Sequence, residues 1–215
     1  MKEFKTVRMM MVICATTCAL SLVACSDDND EVVPPAPVTA ADMYGLYTGN
    51  VFVDMQTPTT RSVGERPKTP VEATINNDTI YFNDFPVRGL VLSILGEEEA
   101  ANAIVEALGK VNYAVGYAPV VSEKGDSISF TLDPKPLTLS LQMPTGEEGT
   151  EPISMNIEVK VEAHETAGYD VKATHTNFSF EAREVLVDIG SGQMPFPFNP
   201  VAFHFDMNKE AASDR

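Results

Sequence analysis

Alternation of apolar and polar residues is the feature that most limits what this chain can fold into. Leu137, Leu139, Leu141 and Met143 are separated by Thr138, Ser140 and Gln142. Met155, Ile157, Val159 and Val161 alternate with Asn156, Glu158, Lys160 and Glu162. Val201, Phe203, Phe205 and Met207 alternate with Ala202, His204 and Asp206. A period of two puts one set of side chains against a core and the other in water, the signature of a half-buried strand. Shorter runs predict further strands at Leu46–Met55, Val71–Asn76, Thr79–Phe82, Val87–Ile94, Ala114–Val121, Ser127–Leu132, Tyr169–Ala182 and Glu184–Ile189.

Turn chemistry falls between these runs, at Asn76-Asn77-Asp78, Glu123-Lys124-Gly125-Asp126 and Asp133-Pro134-Lys135-Pro136. From Tyr169 the apolar phase moves from odd positions (Tyr169, Val171, Ala173) to even ones (Phe178, Phe180, Ala182). One extra residue near His175–Asn177 would do this, so a β-bulge is expected there. A single segment departs from the pattern. Ala101, Ile104, Val105 and Leu108 recur at helical spacing, with Glu97-Glu98-Glu99 in front and Gly109 behind. Acids suit a helix start and glycine a helix end. The expected fold is mainly β: an antiparallel β-barrel or a two-sheet sandwich, with one short α-helix across an open face or end.

The N-terminus has a different logic. A basic segment, Met1 to Arg8, precedes an apolar run from Met9 to Val23, too short for the ~20 residues of a spanning helix. This order is that of a signal peptide over residues 1–24. Leu22-Val23-Ala24-Cys25 resembles a lipobox, which implies that the Cys25 thiol takes a diacylglycerol and anchors the chain in a lipid bilayer. The acidic run that follows, with Ser26, Asp27, Asp28 and Asp30, resembles the surface-export signal of Bacteroidota lipoproteins. That resemblance implies the outer membrane, with the protein facing outward. Residues 25–41, rich in acids and prolines, have the composition of a tether. The β domain is expected over 42–208 and a polar tail over 209–215.

At its start stands DMYGLYTGN, Asp42 to Asn50. It resembles the first strand of the lipocalin-like (calycin-like) lipoprotein domains of Bacteroidota, which implies a barrel and no particular functional residue. From Cys25 onward the chain holds 12 basic and 30 acidic residues, a formal charge of −18. Such a surface repels phosphate backbones, so no nucleic-acid partner is expected. All three cysteines lie at or before position 25, which leaves the domain without a disulfide, a thiolate zinc ligand or a cysteine nucleophile.

Motifs for chemistry are sparse. His164, His175 and His204 show no metal-ligand spacing, and Gly190-Ser191-Gly192 opens a loop rather than a helix. Glu97–Glu99 and Glu147-Glu148 read as solvated charge, and the basic stretch Gln56–Thr69 (Arg61, Arg66, Lys68) as a long loop. No catalytic residue, metal site or cofactor is expected, and the chain is read as a non-enzyme. His175, at the proposed bulge, reads either as a group re-aimed toward a carboxylate or as a polar filler of a bend. Phe196 and Phe198, stiffened by Pro195, Pro197 and Pro200, read either as an apolar binding patch or as a plug of the sheet structure. The leading functional expectation is a surface-anchored binding or accessory module for a small apolar ligand or other envelope proteins. A carboxylate-dependent hydrolase and a purely structural envelope protein are the alternatives.

Overall fold

The computed structural model describes residues 36–55, 68–143 and 153–211. The chain divides into two units, Met1–Ala36 and Pro37–Arg215, and the fold described below is that of the second. Cys25, Ser26, Asp27, Asp28, Asp30, most of the 25–41 tether, Arg61, Arg66 and Glu147-Glu148 lie outside the described residues.

A 3-10 turn, Ala40–Met43, leads into β1 (Gly45–Met55), β2 (Lys68–Asn76) and β3 (Thr79–Phe82). Two helices follow, α1 (Arg88–Leu95) and α2 (Glu98–Leu108). Then come β4 (Tyr113–Val121), β5 (Ser127–Pro134), β6 (Leu137–Met143), β7 (Ile153–Glu162) and β8 (Ala167–Asp170). The chain ends with β9 (His175–Asp188), β10 (Met194–Phe196) and β11 (Val201–Lys209). Pairing runs β1-β2-β3-β4-β5-β8-β9-β11, and β11 returns to β1 over Tyr47–Met55, all antiparallel. The result is a closed eight-stranded barrel, which settles the choice between barrel and sandwich. Closure removes the exposed edges that an open sheet of this size would carry.

Alternation explains the interior. Tyr47, Val51, Ile80, Phe82, Val115, Phe130, Phe203 and Phe205 all point inward and are buried. Phe178 stacks on Phe205 at 4.7 Å between ring centres, and Phe180 lies 5.2 Å from Phe205. Phe85, in the loop after β3, inserts among Phe82, Tyr113, Phe180 and Phe203. Aromatic rings therefore occupy the space that a ligand would take in a hollow barrel of this strand number. At one end the 3-10 turn closes the barrel: the Tyr47 hydroxyl donates to the Met43 carbonyl at 2.7 Å, and Tyr169 donates to that of Asp42 at 3.1 Å. At the other end helix α1 packs against β1 and β11, and α2 packs against α1 and β6.

Three local readings need correction. Val87–Ile94 lies almost wholly in helix α1 rather than a strand, so there are two α-helices instead of one. Val87, Leu90, Val91 and Ile94 stand at i, i+3, i+4 and i+7, and Gly96, at φ 72°, caps the helix in the left-handed region. Tyr169–Ala182 is not one bulged strand. A turn over 171–174 makes β8 and β9 a hairpin, with the Asp170 carboxylate accepting from the Lys172 and Ala173 amides at 2.8 Å each. The irregularity in β9 sits at Arg183 instead, between the pairs Lys160↔Glu184 and Val161↔Ala182. Finally, Lys68 and Thr69 belong to β2, opposite Phe52 and Val51, and not to a loop. The turn Asn77-Asp78, at φ 45° and 60°, is the expected two-residue hairpin.

Candidate functional site

β9 is longer than the barrel needs. Its first half, His175–Ala182, pairs with β11, whereas Val185–Val187 pairs with β10 and Glu184–Asp188 with β7. Beyond the helical end of the barrel this second half carries a small side sheet ordered β6-β7-β9-β10. The hairpin of β6 and β7 reaches it because Pro134 and Pro136 end β5 and turn the chain away. Helices α1 and α2 lie over one face of this sheet, tied together by Arg88, whose Nε donates to Asn102 Oδ1 at 3.0 Å.

Between the helices and the side sheet is an apolar groove of about 110 Å³. Helix α1 contributes Val91, Ile94 and Leu95, and α2 contributes Ile104 and Leu108. The sheet supplies Leu139, Leu141, Met155, Ile157 and Val187, and Phe196 of β10 completes the lining. No polar side chain lines it. The rim is incompletely covered: Leu95 is 42% and Phe196 41% exposed, and Met194 beside it is 52% exposed. Leaving contiguous apolar surface in water is unfavourable by about 25 cal/mol per Å², so an open apolar hollow is a recognised mark of a contact site. A larger hollow of about 500 Å³ lies outside β1 and β2, lined in part by Thr48, Glu72, Asn83, Asp84 and Lys110. Its solvated polar lining carries no such penalty.

Phe196 and Phe198 stand in different surroundings. Phe196 lines the groove, while Phe198 is half-buried against the core. His175 is elsewhere. It begins β9, twelve residues before Val187, and its Nε2 lies 2.7 Å from Asp206 Oδ1 across the β9–β11 pair. A carboxylate is therefore beside it, but no cavity of the groove's kind. His164 lies 3.2 Å from Glu162 and 3.2 Å from Arg183, and His204 faces outward on β11. Among the described residues no group of three or more His, Cys, Asp or Glu is arranged to hold a metal ion.

Buried tyrosines supply the perturbed groups of the barrel. Burial, reinforced by Tyr44 and Asp78, pushes the Tyr117 phenol up to about 12, and its hydroxyl is buried without a hydrogen-bond partner. Burial likewise raises Tyr47 and Tyr113 well above the ordinary phenol range.

Of the eleven groove residues, sequence reasoning marked only Phe196 as a candidate for binding, and read Ile104, Leu108, Leu139, Leu141, Met155 and Ile157 simply as the apolar faces of a helix and two strands. The signal was present in part: the helical spacing of Val87 to Ile94 places Val91 and Ile94 on one face, where a strand reading separates them from α2.

Fold and site together define a closed β-barrel domain with a filled interior and a side sheet that bears an apolar groove. The chain belongs to the family described as Domain of unknown function (DUF4840), whose model matches residues 42–187, from the 3-10 turn to the penultimate residue of β9. The match stops short of β10 and of β11, which closes the barrel. No curated protein and no solved structure matches the chain.

Proposed function

We propose that this protein is a lipoprotein of a bacterial outer membrane, anchored through acylated Cys25 and facing outward, that acts as a non-enzymatic binding module. Its binding element is the groove between α1, α2 and the side sheet, and its ligand is apolar. The groove carries the reading: it combines an all-apolar lining with an open rim at Leu95 and Phe196. Its volume is small, about 110 Å³. That suits the end of an alkyl chain rather than a whole lipid. The basic, apolar and small-residue order of residues 1–25 and the acidic run after Cys25 support the anchor and its address.

The chain has no Trp, so Phe196→Trp gives a single fluorescent reporter at the rim. Titration with octanoate is expected to shift its emission to the blue and to saturate, and Ile104→Glu in the same background is expected to abolish the response. An unchanged spectrum, or an equal response with Ile104→Glu, rejects the groove as the binding site. The anchor is tested by mass spectrometry of the membrane-extracted protein, which is expected to begin at a diacylglyceryl Cys25. A free Cys25 thiol, or a retained leader, rejects it.

A further inference from the structure

Strand β6 is the outermost strand of the side sheet. Among the described residues it pairs with β7 on one side and with no strand on the other. An edge strand aims about half of its N–H and C=O groups outward, and such edges are ordinarily blunted by a charge, a proline or a bulge. Leu137–Met143 has none of these. Its sequence, LTLSLQM, is uncharged and proline-free, and its register with β7 runs unbroken through seven pairs. With no charged residue in this stretch, two β6 strands that pair would set no like charges directly opposite each other, although each chain carries a net charge of −16. The apolar-polar pattern is also the same read in either direction from Ser140.

We propose that β6 pairs antiparallel with β6 of a second copy of this chain, across a twofold axis at Ser140. The register follows from the symmetry: Ser140 faces Ser140 of the second copy, Leu139 faces Leu141, Thr138 faces Gln142, and Leu137 faces Met143. Because odd positions meet odd positions, the apolar face of one side sheet continues into that of the other. Leu139 and Leu141 are groove residues, so the joined sheet carries two grooves on one face. Like any isologous contact, this one is self-complementary and closes at two copies.

The absence of cysteine beyond Cys25 makes the register directly testable in the full chain, in membranes of the producing cells. Directly opposed residues of antiparallel strands stand about 4.5–5.5 Å apart at Cα, within disulfide range. Ser140→Cys is expected to give a reducible dimer under mild oxidation. Asn156→Cys is the control, since Asn156 stands opposite Ser140 on β7. Across the dimer it would be three strand spacings from its counterpart, about 14 Å, and is expected to give no dimer above that of the unsubstituted chain. A second pair fixes the register independently: Thr138→Cys alone is expected to stay monomeric, and Thr138→Cys with Gln142→Cys to cross-link. Failure of both Ser140→Cys and the double variant, or equal cross-linking by Asn156→Cys, overturns the proposal.

Discussion

Replacing Phe85 by alanine should remove the plug of the barrel. The residue lies in the loop between β3 and α1, yet it is only 2% exposed. Its ring centre lies 5.1 Å from Tyr113, 5.2 Å from Phe203, 5.5 Å from Phe82, 6.0 Å from Phe180 and 6.4 Å from Phe205. These neighbours come from four barrel strands, and rigid strands collapse poorly into a void. Truncation of a buried Phe to Ala costs about 3–5 kcal/mol, a large part of the ~5–15 kcal/mol that stabilises a typical domain. For a domain of this size each kcal/mol moves Tm by roughly 2–4 °C, so a fall of roughly 6–20 °C is expected. Urea and thermal unfolding read the loss, with an unchanged urea slope showing that the transition itself is the same. Phe196→Ala is the comparison: its ring sits at the groove rim, and the cost should be no more than about 1 kcal/mol. A Phe85→Ala loss below about 1 kcal/mol, or equal losses for the two variants, would refute a barrel packed by aromatic rings.

Gly49→Ala should be among the most damaging single-methyl additions. A Cβ there would meet the backbone of β11, Asp206 O at 2.2 Å and Met207 Cα at 2.6 Å, at the seam that closes the barrel. Loss of folded protein, or a Tm drop exceeding that of Gly168→Ala, where a Cβ meets open space, is the expected result. Alkaline unfolding should begin above pH 10. Phenols ionise near pH 10 in the unfolded chain, and burial raises Tyr47, Tyr113 and Tyr117 above this, Tyr117 to about 12. Their contribution is complete below pH 10 and is lost as pH climbs through the folded values, at up to ~1.4 kcal/mol per pH unit for each phenol. Phenolate absorbance that rises together with loss of the β circular-dichroism signal confirms this. Titration of all six tyrosines near pH 10 in an intact fold counts against it. Thr174, at φ 52° in the β8–β9 turn, holds a conformation that β-branched residues disfavour. Thr174→Gly should raise stability by about 1 kcal/mol in urea unfolding, and a clear loss would show that the turn relies on the threonine.

Strand existence was legible wherever alternation was clean. β3 and β6 match their expected bounds residue for residue, and β7 and β11 match within two residues at each end. Helix α2 was legible from Glu97–Glu99, Gly109 and the spacing between them. Helix α1 was not, since Val87, Val91 and Ile94 are β-branched and favour a strand locally, and packing of Leu90 and Val91 under the barrel end overrides that preference. The β8–β9 turn was hidden because Val171 and Ala173 continue the apolar phase of Tyr169 through the turn itself. The groove was largely illegible. It is assembled from α1, α2, β6, β7, β9 and β10, and only Phe196, whose neighbouring prolines marked it out, gave a local signal. Nothing in the pattern of β6 or β7 distinguishes a strand of the barrel from one of the side sheet.

The most direct test follows methionine methyl groups by NMR in the mature protein as octanoate is added. Met155 lines the groove, while Met43 and Met207 are buried in the barrel unit away from it. Shifts at Met155 with Met43 and Met207 unmoved are the predicted result. Shifts at Met43 or Met207 would put the ligand inside the barrel, and no shift at Met155 would leave the groove without a binding role.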